Sequence, residues 1–238
     1  MDKRIVLLHG WGGSPEKLEP LKEELEKKGW KTRNLRFPGL TLPAPKEVWG
    51  VQEYADYIEG QVPKLWKDYG YIVFGHSFGG RVATKMALGK SQGLKGIVLC
   101  ALGGISRVNP VKRIFFWAMA KVGKVLMVYL PWAFAYRHIL YRLARQHDYE
   151  KAEGIMKDVF RKVVGEILMP QLPGVQIPVL ILWDKMDRVV SYRDGQKAKM
   201  LIKKAKMVLF KNMGGHKLPY FHPKEVAQEV EKWWQHLN

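Results

Sequence analysis

The sequence predicts an α/β fold built on a mostly parallel sheet. Short apolar runs typical of buried strands, such as residues 4–9 and 71–74, alternate with segments long enough for the helices of βαβ units. The alternation stops in residues 104–170, where the pattern is helical only. Because this segment lies between two strands, it predicts an inserted helical segment, with residues 1–103 and 171–238 forming the core.

The elements of the core follow one another in regular order. Strands are predicted over residues 4–9, 30–37, 71–74, 95–101, 179–183 and 206–210. Helices are predicted over residues 15–28, 51–66 and 81–88, within 193–204, and over 223–236. Glycine and proline mark the ends, since Gly29 stops the first helix and Pro223 begins the last.

The composition indicates one globular domain that needs no metal. The chain has 238 residues, of which 47% are hydrophobic, so it can form a sizeable core and is not a disordered protein. Its single cysteine, Cys100, excludes an internal disulfide framework, and its place in an apolar run indicates a buried apolar residue. Histidine and cysteine do not cluster with ligand spacing, so no metal or cofactor is expected.

The chain is strongly basic, which limits the kinds of partner it can bind. The formal net charge of +18 is spread as +5 over residues 1–103, +7 over 104–170 and +6 over 171–238. Since no nucleic-acid motif accompanies it, we expect no specific nucleic-acid binding and no obligate protein partner. Weak, salt-sensitive association with anionic lipid surfaces is expected instead. The N-terminal residues lack a cleavage site and a long apolar region, which predicts a cytoplasmic protein.

The most informative stretch is Gly75-His76-Ser77-Phe78-Gly79. It lies between an apolar run and a helix-forming run, which predicts a strand, a sharp turn and a helix. Gly75 and Gly79 leave room for the helix to pass close to the strand. Ser77 at this turn is the predicted nucleophile. The backbone N–H of Phe78 begins the helix and is placed to donate to a developing oxyanion.

A serine hydroxyl requires a base to take its proton. In a parallel sheet the base comes from a loop at the carboxyl ends of the strands, and His216 follows the last strand in a glycine-rich loop. We interpret His76, like His9, as a residue that supports its loop. The base needs a carboxylate that orients it, and the loop after residues 179–183 holds Asp184 and Asp187. Asp187 is favoured, because Asp184 at the strand end could simply cap the turn.

Together these motifs resemble the α/β-hydrolase fold family, in its serine esterase and lipase-like branch with a helical lid. The resemblance covers the chain outside the insertion and rests on four segments in order, residues 9–13, 75–80, 183–190 and 214–216. It implies a six-stranded sheet, a triad of Ser77, Asp187 and His216, and an oxyanion hole made by the backbone N–H groups of Trp11 and Phe78. The family usually has glycine at the position of Asp184, and this departure leaves the choice between the two aspartates open.

The resemblance implies a serine hydrolase that cleaves carboxylic esters of small to medium hydrophobic acyl chains through an acyl-enzyme. A carbon–carbon bond hydrolase acting on β-diketone-like substrates with the same triad is an alternative. A receptor that binds small molecules without turnover is a third interpretation. Residues 114–136 of the predicted lid are rich in aromatic side chains. They are expected to pack over the core, and they could also line an acyl pocket.

Overall fold

The computed structural model describes residues 2–66, 70–105 and 152–237. Its sheet has six strands in the order β2-β1-β3-β4-β5-β6, and every neighbouring pair is parallel. The strands are β1 (Arg4–Leu8), β2 (Lys31–Leu35), β3 (Tyr71–His76), β4 (Leu94–Cys100), β5 (Val179–Asp184) and β6 (Ala205–Phe210). This arrangement confirms the predicted α/β-hydrolase fold with its six-stranded sheet.

The described helices cover both faces of the sheet. They are α1 (Glu19–Glu26), α2 (Val51–Leu65), α3 (Phe78–Leu88), α4 (Met156–Gly165), α5 (Tyr192–Leu201), α6 (Leu218–Phe221) and α7 (Pro223–Gln235). The predicted first helix is divided into a 3-10 turn (Pro15–Leu18) and α1. Pro20 accounts for the division, because it has no N–H to donate back to the preceding turn.

Two hydrophobic layers lie on opposite sides of the sheet. Alternate side chains of β1 separate between them, with Val6 and Leu8 in the layer of α2 and α3 and with Ile5 and Leu7 in the layer of α1 and α7. This division follows from the period of two along a strand. All residues of β1, β3 and β5 are buried, as expected for strands covered on both faces.

Arg81 of α3 connects the core to the end of the predicted insertion. Its guanidinium Nη2 donates to the carbonyl oxygens of Val163 at 2.5 Å and Glu166 at 2.6 Å, close to the C-terminus of α4. Burial lowers the pKa of Arg81 to about 10, which leaves it charged near neutral pH. Lys85, one turn further along α3, forms an ion pair with the Glu166 carboxylate at 2.6 Å. The helix after Ser77 therefore holds the segment that ends the predicted insertion.

The predicted boundaries of the cap at residues 104 and 170 remain a prediction. The aromatic residues 114–136, with the expected acyl pocket, lie outside the described residues. Among the residues that are described, no helix is long and apolar enough to cross a membrane. The cytoplasmic location likewise stays a prediction.

Candidate active site

The turn between β3 and α3 places Ser77 in a strained backbone conformation. Its φ of 52° is in the left-handed region that a non-glycine residue seldom adopts. A Cβ added to Gly75 would lie 2.4 Å from the Gly79 carbonyl oxygen, and one added to Gly79 would lie 2.3 Å from the Leu8 carbonyl oxygen. The close passage of helix and strand that the sequence predicts is therefore confirmed, and it requires glycine at both positions.

His216 forms hydrogen bonds with both Ser77 and Asp187. Its Nε2 lies 3.1 Å from Ser77 Oγ, and its Nδ1 lies 2.8 Å from Asp187 Oδ2. The other carboxylate oxygen of Asp187 accepts from the backbone N–H groups of Val189 at 2.7 Å and Val190 at 2.9 Å. Because Asp187 accepts the Nδ1 proton, the lone pair of Nε2 faces the serine hydroxyl. This arrangement can remove a proton from Ser77.

Asp184 has a different position from Asp187, although it is also buried. Its carboxylate accepts from the backbone N–H groups of Met186 at 2.9 Å, Met213 at 2.6 Å and Gly215 at 2.8 Å. Burial raises the pKa of Asp184, but the backbone hydrogen bonds outweigh this effect, so the pKa is lowered overall. The structure thus brings Asp187 to His216 and uses Asp184 to hold the loop that carries His216.

The loop after β1 lies beside Ser77. A Cβ on Gly10 would come 3.3 Å from the Ser77 Cβ, so the backbone of this loop passes directly over the serine. The Trp11 ring meets the Phe78 ring edge-on, with centroids 5.3 Å apart. The side chains of Trp11 and Phe78, the two residues expected to form the oxyanion hole, are therefore in contact, and Phe78 directly follows Ser77 in the chain.

His76 and Tyr220 form a hydrogen-bonded pair that supports the backbone of His216. Nε2 of His76 donates to the His216 carbonyl oxygen at 2.8 Å, and His76 Nδ1 accepts from the Tyr220 hydroxyl at 2.9 Å. Burial, followed by the proximity of His216, lowers the pKa of His76 to about 3, so the ring is neutral near pH 7. Burial also raises the pKa of Tyr220 to about 12, so its hydroxyl keeps its proton.

Sequence reasoning assigned His76 a supporting role but missed Tyr220. A tyrosine in the short segment between two prolines carries no motif, and its partner His76 is 144 residues away. Arg81 was missed for a similar reason, since its acceptors are backbone carbonyls 82 and 85 residues away. Neither contact has a signal in the local sequence.

A cleft opens next to the candidate site. Its volume is about 370 Å³, and it is lined by Trp11, Gly12, Gly39, Ala44, Ala152, Glu153 and Met156. Six of these seven residues are apolar or glycine, so the cleft can accept an apolar group beside the loop of Trp11. Within the described ranges, no three His, Cys, Asp or Glu residues are grouped to hold a metal ion.

Comparisons with known proteins agree with this architecture. The model of the alpha/beta hydrolase family matches residues 5–229. No protein among the curated sequences matches the chain significantly. Similar solved structures include MenH from S. aureus, with 19% identity, a TM-score of 0.73, and coverage of 100% of this chain and 95% of that one.

Two further similar structures have names that refer to esterases. The esterase EaEST from Exiguobacterium antarcticum is 17% identical, with a TM-score of 0.73 and coverage of 98% of this chain and 92% of that one. A lipase-esterase related protein from Clostridium acetobutylicum ATCC 824 is 17% identical, with a TM-score of 0.71 and coverage of 98% and 94%. At these identities the likeness shows the fold, and the family assignment rests on the match over residues 5–229. This chain therefore belongs to the alpha/beta hydrolase family.

Proposed function

We propose that the protein is a serine hydrolase that cleaves carboxylic esters through an acyl-enzyme on Ser77. The observation that carries the proposal is the continuous hydrogen-bonded series from Ser77 through His216 to Asp187, with distances of 3.1 Å and 2.8 Å. Family membership supports a hydrolase. Esterases among the structural neighbours make an ester substrate the natural first choice.

The proposed reaction has two halves. Ser77 Oγ attacks the ester carbonyl while His216 Nε2 takes the hydroxyl proton, and a tetrahedral oxyanion forms. The backbone N–H groups of Trp11 and Phe78 would stabilise this oxyanion. When the intermediate collapses, the C–O bond to the alcohol breaks and His216 returns the proton to the leaving oxygen. Water then attacks the acyl-enzyme by the same steps, which release the acid and restore Ser77.

Asp187 would keep His216 in the productive tautomer throughout this cycle. Its Oδ2 receives the Nδ1 proton, and its Oδ1 is fixed by two backbone N–H groups, so the carboxylate cannot turn away. The carboxylate also stabilises the imidazolium that forms when Ser77 is deprotonated.

The acyl group is proposed to be small to medium in length and hydrophobic. The apolar cleft beside Trp11, whose walls include Gly39 and Met156, supports this preference. Each methylene that leaves water on binding contributes about 0.8 kcal/mol. The specificity constant should therefore rise from acetyl esters toward about butyryl to octanoyl esters, and a value that falls steadily from acetyl onward would remove this part of the proposal.

The test of the reaction combines covalent labelling with turnover. The wild-type protein should react rapidly with a fluorophosphonate probe at Ser77 and hydrolyse nitrophenyl esters. Ser77→Ala should abolish labelling and reduce turnover by several orders of magnitude while the protein stays folded. If Ser77→Ala keeps more than about a tenth of the activity, Ser77 is not the nucleophile. If the wild type labels slowly and cleaves a β-diketone but no ester, the carbon–carbon hydrolase alternative is correct.

A further inference from the structure

Three large apolar side chains are exposed at the loops that carry Asp187 and His216, two of them on the Asp187 loop and one at the end of the short helix α6 that follows His216. The exposed fractions are 47% for Met186, 60% for Val189 and 62% for Phe221. Met186 and Val189 flank Asp187, while Phe221 packs on Gly214, where a Cβ would lie 2.9 Å from its ring. These loops follow the neighbouring strands β5 and β6 and meet at the hydrogen bond between Asp187 and His216. The three side chains are thus gathered at one end of the sheet.

The same two loops carry four exposed cationic side chains, namely Lys185, Arg188, Lys211 and Lys217. In the described part of the chain none of the four forms an ion pair, although cations elsewhere do, as Lys162 does with Glu53 at 2.6 Å. Lys217 lies over the Phe221 ring, with Nζ 5.7 Å from its centroid. Residues 185–191 and 211–221 contain one carboxylate, Asp187, which is buried. Within these two described segments, therefore, no exposed carboxylate offsets the four cations.

Exposed apolar side chains interspersed with cations are complementary to one kind of surface in particular. At an anionic bilayer, aliphatic and aromatic side chains enter the headgroup region while lysine and arginine pair with lipid phosphates and carboxylates. A nucleic acid would use the cations but would leave aliphatic residues such as Met186 and Val189 in water. An apolar protein surface would leave the cations unpaired.

We propose that these seven residues, which we call the rim surface, dock the protein on an anionic phospholipid surface. The rim surface flanks Asp187 and His216, so docking turns the loops of the candidate active site toward the lipid. A substrate held in the bilayer could then reach Ser77 without crossing bulk water. The docking itself does not depend on the proposed hydrolysis, because it requires no turnover.

The test measures vesicle binding by the full chain carrying Ser77→Ala, so that no lipid is consumed. The protein is sedimented with vesicles of phosphatidylcholine, with and without phosphatidylserine, at low and high salt. We expect binding to the phosphatidylserine vesicles that weakens as salt is raised. The pair R188Q and K217Q should weaken this binding about 25-fold, which is about fivefold for each cation. The pair V189S and F221S should weaken it by about tenfold or more.

Matched controls lie at the opposite end of the sheet. Lys203 and Lys204 are exposed just before β6, and Met200 is 74% exposed near the end of α5. K203Q with K204Q removes the same charge as R188Q with K217Q, and M200S removes a comparable apolar side chain. Both controls should retain nearly all vesicle binding. If K203Q with K204Q reduces binding as much as the rim pair, the protein adheres through its overall charge and the rim surface is wrong.

Two other outcomes would also overturn the proposal. One is the absence of binding to phosphatidylserine vesicles at low salt. The other is binding that V189S with F221S leaves unchanged, because this would indicate a site for polyanions in general. F221S could lower the melting temperature, because Phe221 packs on Gly214. In that case the pair V189S and F221S is replaced by the pair M186S and V189S. Both of those side chains are about half exposed or more, so their substitution tests docking without loss of packing.

Discussion

Asp187→Asn should inactivate the enzyme by reversing the tautomer of His216. Asp187 Oδ1 accepts from two backbone N–H groups, those of Val189 and Val190, whereas among the described residues Oδ2 accepts from the His216 ring alone. The oxygen of an asparagine amide would therefore stay with the two backbone donors. Its NH₂ group would face His216 Nδ1, which must then accept a hydrogen bond and carry its proton on Nε2 instead.

The size of the effect follows from this geometry. With a proton on Nε2, His216 cannot accept the proton of Ser77, and loss of the correct tautomer costs on the order of 10⁴-fold in kcat. This corresponds to about 5.5 kcal/mol of activation free energy. The hydrogen bonds to Val189 and Val190 persist in the variant, so the free energy of unfolding should change little.

Asp184→Asn is the matched comparison and should behave in the opposite way. Two backbone N–H groups, those of Met213 and Gly215, point at Oδ2, and one from Met186 points at Oδ1. Asparagine has one side-chain oxygen and can replace only one of the two carboxylate oxygens of Asp184. At the other position its NH₂ group would face a buried backbone N–H, which would lose its acceptor. We expect a loss of about 2–3 kcal/mol in stability, which lowers Tm by roughly 5–10 °C for a chain of this size.

The assay is kcat on a nitrophenyl ester, measured well below the Tm of both variants, together with Tm from circular dichroism. The expected result is a severe loss of turnover with a normal Tm for Asp187→Asn. Asp184→Asn should show a lowered Tm and a far smaller loss of turnover. Equal losses of kcat in the two variants would refute the assignment of the two aspartates. A kcat for Asp187→Asn above about a tenth of the wild-type value would refute the tautomer argument.

Three further predictions concern the support of the site and the fold. Tyr220→Phe removes the hydrogen bond to His76, so kcat should fall severalfold with little change in KM; an unchanged kcat would exclude a positioning role for Tyr220. Burial lowers the pKa of His76 from 6.5 to about 3. Between these two pH values the unfolded chain binds a proton at His76 that the folded protein does not, so the folded state loses stability as the pH falls below about 6.5. Urea unfolding should accordingly show a loss of about 2 kcal/mol at about pH 5 relative to about pH 7, and equal stability at the two pH values would contradict a buried neutral ring. Gly79→Ala should destabilise the fold severely because its Cβ would meet the Leu8 carbonyl, while Gly60→Ala on α2, with no neighbour within 4 Å, should stabilise it by about 0.5–1 kcal/mol; a stable Gly79→Ala variant would show that the helix can move away from the strand.

Much of the fold could be predicted because its signals are local. Apolar runs, helix-forming segments and glycine positions depend on residues close together in the chain, and they placed all six strands within a few residues of their observed bounds. The strand bounds of β2 were the least accurate, since the pattern suggested residues 30–37 and the strand covers Lys31–Leu35. Strand ends are determined by pairing, and β2 pairs with β1 over these five residues only.

By itself the sequence determined the strand, turn and helix around Ser77, because an elbow of this kind requires glycine at positions 75 and 79. It also indicated that the two aspartates and His216 follow the last two predicted strands of the chain. Only the tertiary structure decided which aspartate reaches His216, since Asp184 and Asp187 are three residues apart and share one loop. The carboxylate of Asp184 accepts hydrogen bonds from the backbone N–H groups of Met213 and Gly215 in the His216 loop. These donors lie 29 and 31 residues further along the chain. Asp187 is therefore the aspartate that bonds to the His216 ring. The sequence could not decide this, because a hydrogen bond between distant segments depends on where the folded chain places both partners.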